Sequence, residues 1–416
     1  MFSKSIREIP YRINEKLPER VRLFLRPVVH AFSALNKVFF LASQLQTSAY
    51  LLRGKEKWSH ENLSTLFLGD EKGLYNVSEM LYGEEPAKES LGRVFLWQMN
   101  SRTPRRLPQA DLLLIRTPDF FADFLQRRGF MIIPEWVLFM LDLSKSFPEA
   151  WNLKKNKSLR ENLREFRKHR YSCEITSDPE MFEHFYHRMY LPHATQRFGK
   201  LTFTSSYQSM KIIFRRGWLL LVKKENECVS ASLMAPDGDT LLIHSLGVTD
   251  GKSEYLKTGA LTALYYFNIM WAKEQGYAWI DFGHCRSLLR DGVFKHKKRW
   301  GMSIRSSTRL RNILCLKICN LHPGVRTALA KNPFIFIEKK KLNGFIMAEQ
   351  QAALSREEVQ SLVNAHAISG LDQLVIVCPR GFTQQAREFA DSCATHRVRL
   401  IQSMADSADA GGAPAL

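Results

Sequence analysis

The chain has 416 residues, of which 45% are hydrophobic and 11% aromatic. These proportions exclude a disordered chain, which lacks the apolar side chains needed to bury a core, and the length predicts two or three domains. The 60 Lys and Arg residues outnumber the 41 Asp and Glu residues, so the net charge of +19 favours anionic partners: nucleotide phosphates, nucleic acid or an acidic membrane surface.

The seven cysteines form no Cys-x-x-Cys pair. An odd number of cysteines scattered through a long chain is typical of a reducing compartment and not of a disulfide framework. We therefore expect a cytoplasmic protein.

Residues 1–55 are predicted to form a basic amphipathic helical segment. Charges run throughout it and no small-residue cleavage site follows a short apolar core, so it does not resemble a secretory signal. Its most apolar part, residues 23–45, is interrupted by Arg26, His30 and Lys37, which disfavours a membrane-spanning helix. An ordinary surface helix and a helix lying on the anionic inner face of a membrane both remain open.

Residues 56–150 contain strand-like runs ("RVFLW", "DLLLI", "EWVLFMLDL") around one helical run, "DFFADFLQRRGF". This alternation predicts a mixed α/β unit. The next segment, "KKNKSLRENLREFRKHR", predicts an amphipathic helix, with Ser158 and Glu161 spaced as a capping box. Its exterior is strongly basic, with Arg160, Arg164, Arg167 and Lys168.

Beyond a second helical stretch, "PEMFEHFYHRMY", the hydrophobic period changes to two. The runs "WLLLVKK", "CVSASLMA" and "TLLIHSLGV" are separated by polar turns, which predicts an antiparallel meander of three strands. A buried helix ("ALTALYYFNIMWAKEQGY"), a buried strand ("AWIDF"), a short helix ("VFKHKKRW") and a last strand ("MSIRSSTRL") follow in order.

This order of elements resembles the GNAT acyltransferase fold, and several motifs resemble its Fem-type branch, which includes acyltransferases of polysaccharide biosynthesis. The motifs are "VLFMLDLS" before the basic helix, then "GYAWIDFG", "GVFK" and "RWG". The resemblance covers about Gly92 to Arg309. It implies an α/β (α+β) fold: a GNAT-like mixed sheet with flanking helices over 151–310, preceded by a degenerate GNAT-like half over 56–150.

The resemblance also implies a set of site residues. The donor carbonyl sits in this fold where two parallel strands splay apart, here "LIHSLGV" and "AWIDF", so the backbone N–H groups of Gly247 and Val248 are candidates to bind the oxyanion. Asp281 is a catalytic candidate that orients or deprotonates an amine, or else a structural acid that caps the loop after it. Lys295, next to Phe294, is the candidate cation beside the donor, or else part of a solvated basic face.

One departure from conventional GNAT enzymes concerns the loop that grips the coenzyme A pyrophosphate. This chain offers only "YLKTGA", with Lys257 and Gly259, and lacks the leading residue at the usual spacing. For the acceptor, the predicted binding residues are Arg160, Arg164, Tyr190 and His284. Because His284 and Cys285 are adjacent in sequence, they do not form an activated Cys–His pair, and no further ligands lie at zinc spacing.

Residues 311–343 are predicted as a linker, residues 344–405 as a small α/β module, and residues 406–416 as a disordered tail. The C-terminal module resembles the second half of an Mrr-like restriction-endonuclease domain. Such nucleases hold a metal with an acid and an acid-x-Lys or Gln-x-Lys pair, whereas the strand "GFIMAEQQ" has Glu349 where the Lys is required. We therefore expect a module that does not cleave DNA and is dispensable for catalysis.

Two classes of function remain open. The first is a cytoplasmic N-acyltransferase, without a metal, that uses acetyl-CoA or another acyl-CoA to modify an amino-sugar or other glycan precursor of the cell envelope, with aminoacyl-tRNA as the alternative donor. The second is a non-catalytic nucleic-acid-binding or scaffold protein on a degenerate GNAT fold. The concentration of polar residues at the strand ends of one cleft favours the enzyme.

Overall fold

A computed structural model describes residues 46–95, 107–144, 156–198, 204–225, 227–308, 310–349, 352–394 and 396–402. The predictions for residues 1–45 and for the tail 406–416 lie outside these residues.

The strands, in chain order, are β1 Gln46–Lys55, β2 Asn62–Gly69, β3 Ala87–Phe95, β4 Leu112–Pro118, β5 Met131–Pro134, β6 Trp136–Asp142, β7 Ser172–Thr176, β8 Trp218–Lys224, β9 Glu227–Asp237, β10 Thr240–Val248, β11 Trp279–Arg286, β12 Ser303–Ser306, β13 Asn312–Ile318, β14 Phe334–Glu338, β15 Lys341–Met347, β16 Gln373–Val377 and β17 Arg397–Ile401. The helices are α1 Glu71–Leu81, α2 Ala122–Gln126, α3 Lys157–Lys168, α4 Pro179–His184, α5 Leu191–Phe198, α6 Tyr207–Phe214, α7 Ser253–Lys257, α8 Ala260–Glu274, α9 Gly292–Arg299, α10 Pro323–Lys331, α11 Arg356–His366 and α12 Gln384–Ser392, with a π-helical turn Phe185–Tyr190 between α4 and α5.

The first sheet, called the cleft sheet, has seven strands in the order β12-β6-β11-β10-β9-β8-β7. Strands β10 and β11 run parallel, whereas the other neighbours are antiparallel. Helix α8 makes the crossover between β10 and β11 that a parallel pair requires. The meander, helix, strand, helix, strand order predicted from the sequence is confirmed.

Strand β6 enters the cleft sheet from the N-terminal half of the chain and lies between β11 and β12. The predicted strand "EWVLFMLDL" therefore belongs to the sheet of the second half, and the two halves share this sheet. Sequence periodicity identifies a strand but not its partners, because pairing depends on contacts far along the chain.

The second sheet, called the long sheet, has ten strands in the order β17-β16-β15-β14-β5-β13-β4-β2-β1-β3. Residues 46–55, predicted as the end of a helical segment, form strand β1 of this sheet instead. Residues 311–343, predicted as a linker, form β13, α10, β14 and the start of β15. The burial along β13 explains its place, since Ile313 and Cys315 are buried on one face of the sheet and Leu316 and Ile318 on the other.

The C-terminal module is joined to the rest of the chain through the long sheet and through a shared core. Strand β14 pairs with β5 at Ile337 and Ile132. Close to β12, the N–H of Ile304 donates to the carbonyl of Ser369 at 2.8 Å, and a Cβ on Gly370 would lie 2.0 Å from the carbonyl oxygen of Ile304. The backbone of the module therefore contacts the backbone of strand β12 in the cleft sheet.

The basic helix α3 begins two residues earlier than its predicted capping box implies. Asn156 is the N-cap, and its side-chain oxygen accepts a hydrogen bond from the N–H of Leu159. The Ser158–Glu161 capping box is therefore not formed, because Ser158 already lies within the helix. Among the residues that the structure describes, no helix is long and apolar enough to cross a membrane.

Candidate functional site

The parallel pairing of β10 and β11 stops in the middle of both strands. The aligned pairs are Thr240 with Trp279, Leu241 with Ile280, and Leu242 with Asp281. Beyond the last pair, β10 continues to Val248 and β11 to Arg286 without further pairing between them. The gap between residues 243–248 and 282–286 is called the strand opening. It leaves backbone groups at one edge of each strand without a strand partner, and on the β11 side the carbonyls of Gly283 and His284 accept from the Lys297 side chain.

Both strands are irregular where the opening begins. In β10, the register against β9 shifts between Ile243 and Ser245, which leaves His244 as an exposed bulge residue. In β11, the register against β6 shifts between Asp281 and His284. Bulges bend strands and re-aim their backbone groups, so these two irregularities account for the separation of the strands.

Gly247 and Val248 lie on the β10 side of the strand opening and pair with β9. A Cβ on Gly247 would lie 2.6 Å from the carbonyl carbon of Met189, so the π-helical turn packs directly against the backbone of β10. The predicted acceptor residue Tyr190 belongs to this turn. It is buried, and its hydroxyl accepts a hydrogen bond from the N–H of Ser205 at 2.7 Å.

Asp281 and Lys297 lie on the β11 side. Asp281 is 6% exposed, and its carboxylate accepts a hydrogen bond from the N–H of Gly283 at 2.6 Å. The ammonium of Lys297 donates to the carbonyl oxygens of Gly283 and His284 at 3.2 and 3.1 Å. Together the two side chains fix the bend of β11, in which Gly283 has a φ of +74° that favours glycine.

Lys297 is a buried cation with acidic neighbours. It is 5% exposed, and burial lowers its pKa because the charged form loses hydration, whereas Cys285, Asp281 and Asp291 oppose that shift. Asp291 also caps α9, accepting from the N–H groups of Val293 and Phe294. The sequence contains one indication that Lys297 is buried. Lys297 lies three residues from each of two aromatic residues, Phe294 and Trp300, which are buried on the inward face of the helix.

Lys295, the cation that the sequence singles out, lies on the exposed face of α9. Two residues along a helix turn by about 200°, so Lys295 and Lys297 point in nearly opposite directions. Phe294, its neighbour in the motif, is buried and packs edge-to-face against Phe139 with ring centroids 5.0 Å apart. The catalytic role predicted for Lys295 stays a prediction, and its exposure favours the alternative of a solvated basic face.

An aromatic cluster lies behind β11. The ring of Tyr265 stacks on Phe282 at 4.9 Å and meets His296 edge-to-face at 4.8 Å, and the Nε1–H of Trp300 donates to Nε2 of His296 at 3.3 Å. Burial lowers the pKa of His296 to about 4, and the charge of Arg197 adds to that shift. His296 is therefore neutral at pH 7.

Helix α5 contributes His193 and Arg197, which the sequence reasoning missed. His193 is 5% exposed, and burial together with Arg197 lowers its pKa to about 4. The charge of Arg197 acts on His296 and Lys297 as well, so α5 and α9 lie within electrostatic range of each other. His193 and Arg197 are four residues apart, about one helical turn, so the sequence could have predicted that they share a helix face.

Of the other predicted residues, Arg160 and Arg164 lie apart from this cluster, whereas His284 provides a backbone carbonyl to Lys297. Arg160 and Arg164 are on the exposed face of α3. His284 pairs through Nε2 with the hydroxyl of Ser307 at 2.8 Å. Burial raises the pKa of Cys285 to about 12, so its thiol is protonated at neutral pH and is a poor nucleophile.

The N-terminus of α8, next to Lys257 and Gly259, is covered by α3. The N-cap Gly259 has a φ of +88°, and a Cβ there would lie 3.3 Å from the backbone nitrogen of Phe166. The hydroxyl of Tyr171, just after α3, shares a hydrogen bond of 2.8 Å with Thr258 Oγ1. Lys257 is exposed. Helix α3 therefore occupies space against the helix end at which GNAT enzymes bind a pyrophosphate.

Within the described ranges, no group of three His, Cys, Asp or Glu side chains is placed to hold a metal ion. At the nuclease-like strand β15, Met347 is buried, and Glu349 forms an ion pair of 2.6 Å with Lys331.

Comparison with known proteins gives one family match: the sequence model described as restriction endonuclease matches residues 335–405. This range extends the predicted nuclease-like segment upstream to include β14. No curated protein sequence matches the chain.

Several solved structures are similar to part of this chain at low sequence identity. L-PGS from Bacillus licheniformis is 12% identical with a TM-score of 0.32, covering 67% of this chain and 88% of its own. FemX is 15% identical with a TM-score of 0.34, covering 65% of this chain and 84% of its own. A GCN5-related N-acetyltransferase from Sphaerobacter thermophilus is 14% identical with a TM-score of 0.28, covering 65% and 76%. At these values none of the likenesses bears on activity.

Proposed function

We propose that this protein is an N-acyltransferase whose reaction takes place in the strand opening. The observation that carries the proposal is the separation of β10 from β11 after Leu242 and Asp281. A donor that enters this gap pairs with free backbone groups of the strands, which holds its carbonyl in a fixed position relative to an acceptor amine. Backbone N–H groups near Gly247 and Val248 then stabilise the oxyanion.

The charges around the opening support this reaction. Since His193 and His296 are neutral at pH 7, Arg197 supplies positive charge near the opening, and Lys297, whose pKa burial lowers, adds to it in its protonated form. Cations near an acceptor amine lower the pKa of its ammonium form, so a larger fraction of the amine is free to attack. The same cations stabilise the negative charge that develops on the carbonyl oxygen.

Asp281 has a positioning role in this proposal. Its hydrogen bond to Gly283 supports the structural interpretation of this acid, since the carboxylate already caps the bend that opens the strands. Through that bend and through Lys297 it sets the position of the β11 backbone.

For the substrates, the resemblance to acyltransferases of polysaccharide biosynthesis supports an amino-sugar or another glycan precursor as acceptor and an acyl-CoA as donor. A second donor, aminoacyl-tRNA, is favoured by a specific observation. Helix α3 covers the N-terminus of α8, and its outer face carries basic residues that suit a long polyanion better than one pyrophosphate. These exposed residues are Arg160, Arg164, Arg167 and Lys168.

The experiment incubates the purified protein with radiolabelled acetyl-CoA and a panel of amino sugars and nucleotide-linked amino sugars, and identifies products by mass spectrometry. A parallel reaction uses charged tRNA at low and high salt. We expect amide product with one donor and much less with Lys297→Met. If neither donor yields product while tRNA or DNA binds in a salt-dependent way, the non-catalytic scaffold replaces the enzyme.

A further inference from the structure

A cavity lies between the two sheets at the carboxyl end of β11, where Arg286 lines both the cavity and the far end of the strand opening. Its volume is about 80 Å³, and it is partly open to solvent. Arg286, at the end of β11, lies five residues beyond Asp281 along the chain. The cavity therefore reaches the far end of the strand opening at Arg286, whereas Asp281, Gly247 and Val248 do not line it.

Most of the cavity wall is apolar. Helix α1 contributes Val77 and Met80, β5 contributes Ile133 and Pro134, and further apolar surface comes from Trp136, Leu288 and Leu314. Such a wall suits a ligand with an apolar body, because burying that body removes it from water.

The two arginines that line the cavity differ in their partners. Arg116 forms a two-pronged pair with Glu135, at 2.8 Å for each bond, and a third bond of 2.8 Å to Asp70, so its charge is compensated. Arg286 donates to the side-chain oxygen of Asn76 at 3.1 Å, and no ion pair is recorded for it in the described part of the chain. Its guanidinium has donors and charge left for an anion.

Ser287, next in the chain, lines the same cavity. It is 3% exposed, and its buried Oγ has no hydrogen-bond partner among the described residues. Its own carbonyl accepts from the N–H of Ile335 at 2.8 Å, which fixes the backbone in place. A buried hydroxyl without a partner costs stability, and a bound acceptor group would supply the missing bond.

We propose that this cavity binds a small amphiphilic anion, with its apolar body against Val77, Met80 and Leu314 and its carboxylate or phosphate between Arg286 and Ser287. The guanidinium supplies charge and two donors in a fixed plane, and the hydroxyl supplies a third donor. Binding at this site requires no acyl transfer, so a negative result for the proposed reaction would not contradict it.

The test measures binding of octanoate, octyl phosphate and octanol to the full-length protein by calorimetry and thermal shift. We expect saturable binding of at least one anion, at least ~10-fold tighter than octanol, since a charged hydrogen bond is lost in the alcohol. The two anions together show which head group fits. Binding of octanol equal to both anions, or no saturable binding of either anion, overturns the proposal.

Three variants locate the ligand. Arg286→Gln should weaken anion binding ~10-fold or more and leave octanol unchanged, whereas the exposed Arg53→Gln should change neither. Ser287→Ala should weaken anion binding without lowering the thermal midpoint, because it removes an unpaired hydroxyl. Met80→Trp should block all three ligands by filling the cavity. Unchanged anion affinity in Arg286→Gln would place the anion elsewhere.

Discussion

The ammonium group of Lys298 donates a hydrogen bond to the carbonyl oxygen of Ala365 over 2.6 Å. A longer bond, of 3.3 Å, reaches the carbonyl of Asn364. These carbonyls belong to the last turn of α11, where helix carbonyls lack partners within the helix and carry partial negative charge. The contact ties α9, the helix of Lys297, to the nuclease-like module, and burial lowers the pKa of Lys298 to about 8.

The first prediction is that Lys298→Met destabilises the protein by ~1 kcal/mol, because it removes a hydrogen bond from a charged donor to the carbonyls at the end of α11. Urea unfolding at pH 7 measures the change, and Lys295→Met is the matched control on the exposed face of the same helix. A variant as stable as the control would show that the module does not depend on this contact.

This contact also changes the expectation for the module itself. The sequence predicts a dispensable segment after a linker, but strands β14 to β17 continue the long sheet, and their apolar residues share one core with the cleft sheet. Removing residues 344–405 would therefore expose apolar surface on both sheets. The sequence shows the local α/β pattern of the module but not the core into which it packs.

The second prediction concerns which lysine of α9 supports catalysis. Lys297→Met should lower acyl transfer ~100-fold or more, the cost of removing one group that stabilises developing charge, whereas Lys295→Met should retain most activity. Turnover of both variants is measured after circular dichroism has confirmed that each is folded. Loss of activity in Lys295→Met alone would restore the role that the sequence assigns to Lys295.

The difference between these two lysines shows which features of the site can be predicted from the sequence. The order of elements follows from hydrophobic period, whereas the parallel pair and the place of Asp281 beside it are what the resemblance to the Fem-type branch implies. The choice between Lys295 and Lys297 depends on the rotation of α9, and Asp291 sets the start of that helix. The cluster of Arg197 with His296 joins elements far apart in the chain, so no local pattern predicts it.

The third prediction is that stability falls as the pH is lowered from 6.5 towards 4. Burial lowers the pKa of His193, His296 and His366 to about 4, so in this window the unfolded chain binds protons that the folded chain excludes. His366→Phe should reduce the loss between pH 7.5 and 5.0 by roughly 1–2 kcal/mol, measured by urea unfolding. His244→Gln, at an exposed position, should leave this loss of stability unchanged. An equal loss of stability in both variants would contradict the assignment.

The fourth prediction concerns the nuclease-like module, which should not cleave DNA in the presence of magnesium. Metal-dependent nucleases of this kind require a lysine where this chain has Glu349. The carboxylate of Glu349 forms an ion pair with Lys331. The full-length protein is incubated with supercoiled plasmid and Mg²⁺, and nicking is followed on gels. Cleavage that survives further purification and is abolished by Glu349→Gln would refute the prediction.

The last prediction tests the β10 wall of the strand opening. In Gly247→Ala the new methyl group would lie 2.6 Å from the carbonyl carbon of Met189 and 2.7 Å from the backbone nitrogen of Tyr190, so the π-helical turn must move away from β10. Because backbone atoms cannot yield as a flexible side chain does, we expect a loss of ~1–3 kcal/mol in unfolding free energy and a loss of acyl transfer.

Gly292→Ala is the matched control for Gly247→Ala, since no atom lies within 4 Å of its added Cβ and its φ does not require glycine. Unfolding in urea and turnover are measured for both variants. If Gly247→Ala keeps full activity while losing stability, the oxyanion does not bind at this stretch of β10. If it keeps both, the turn is not packed against the strand as described.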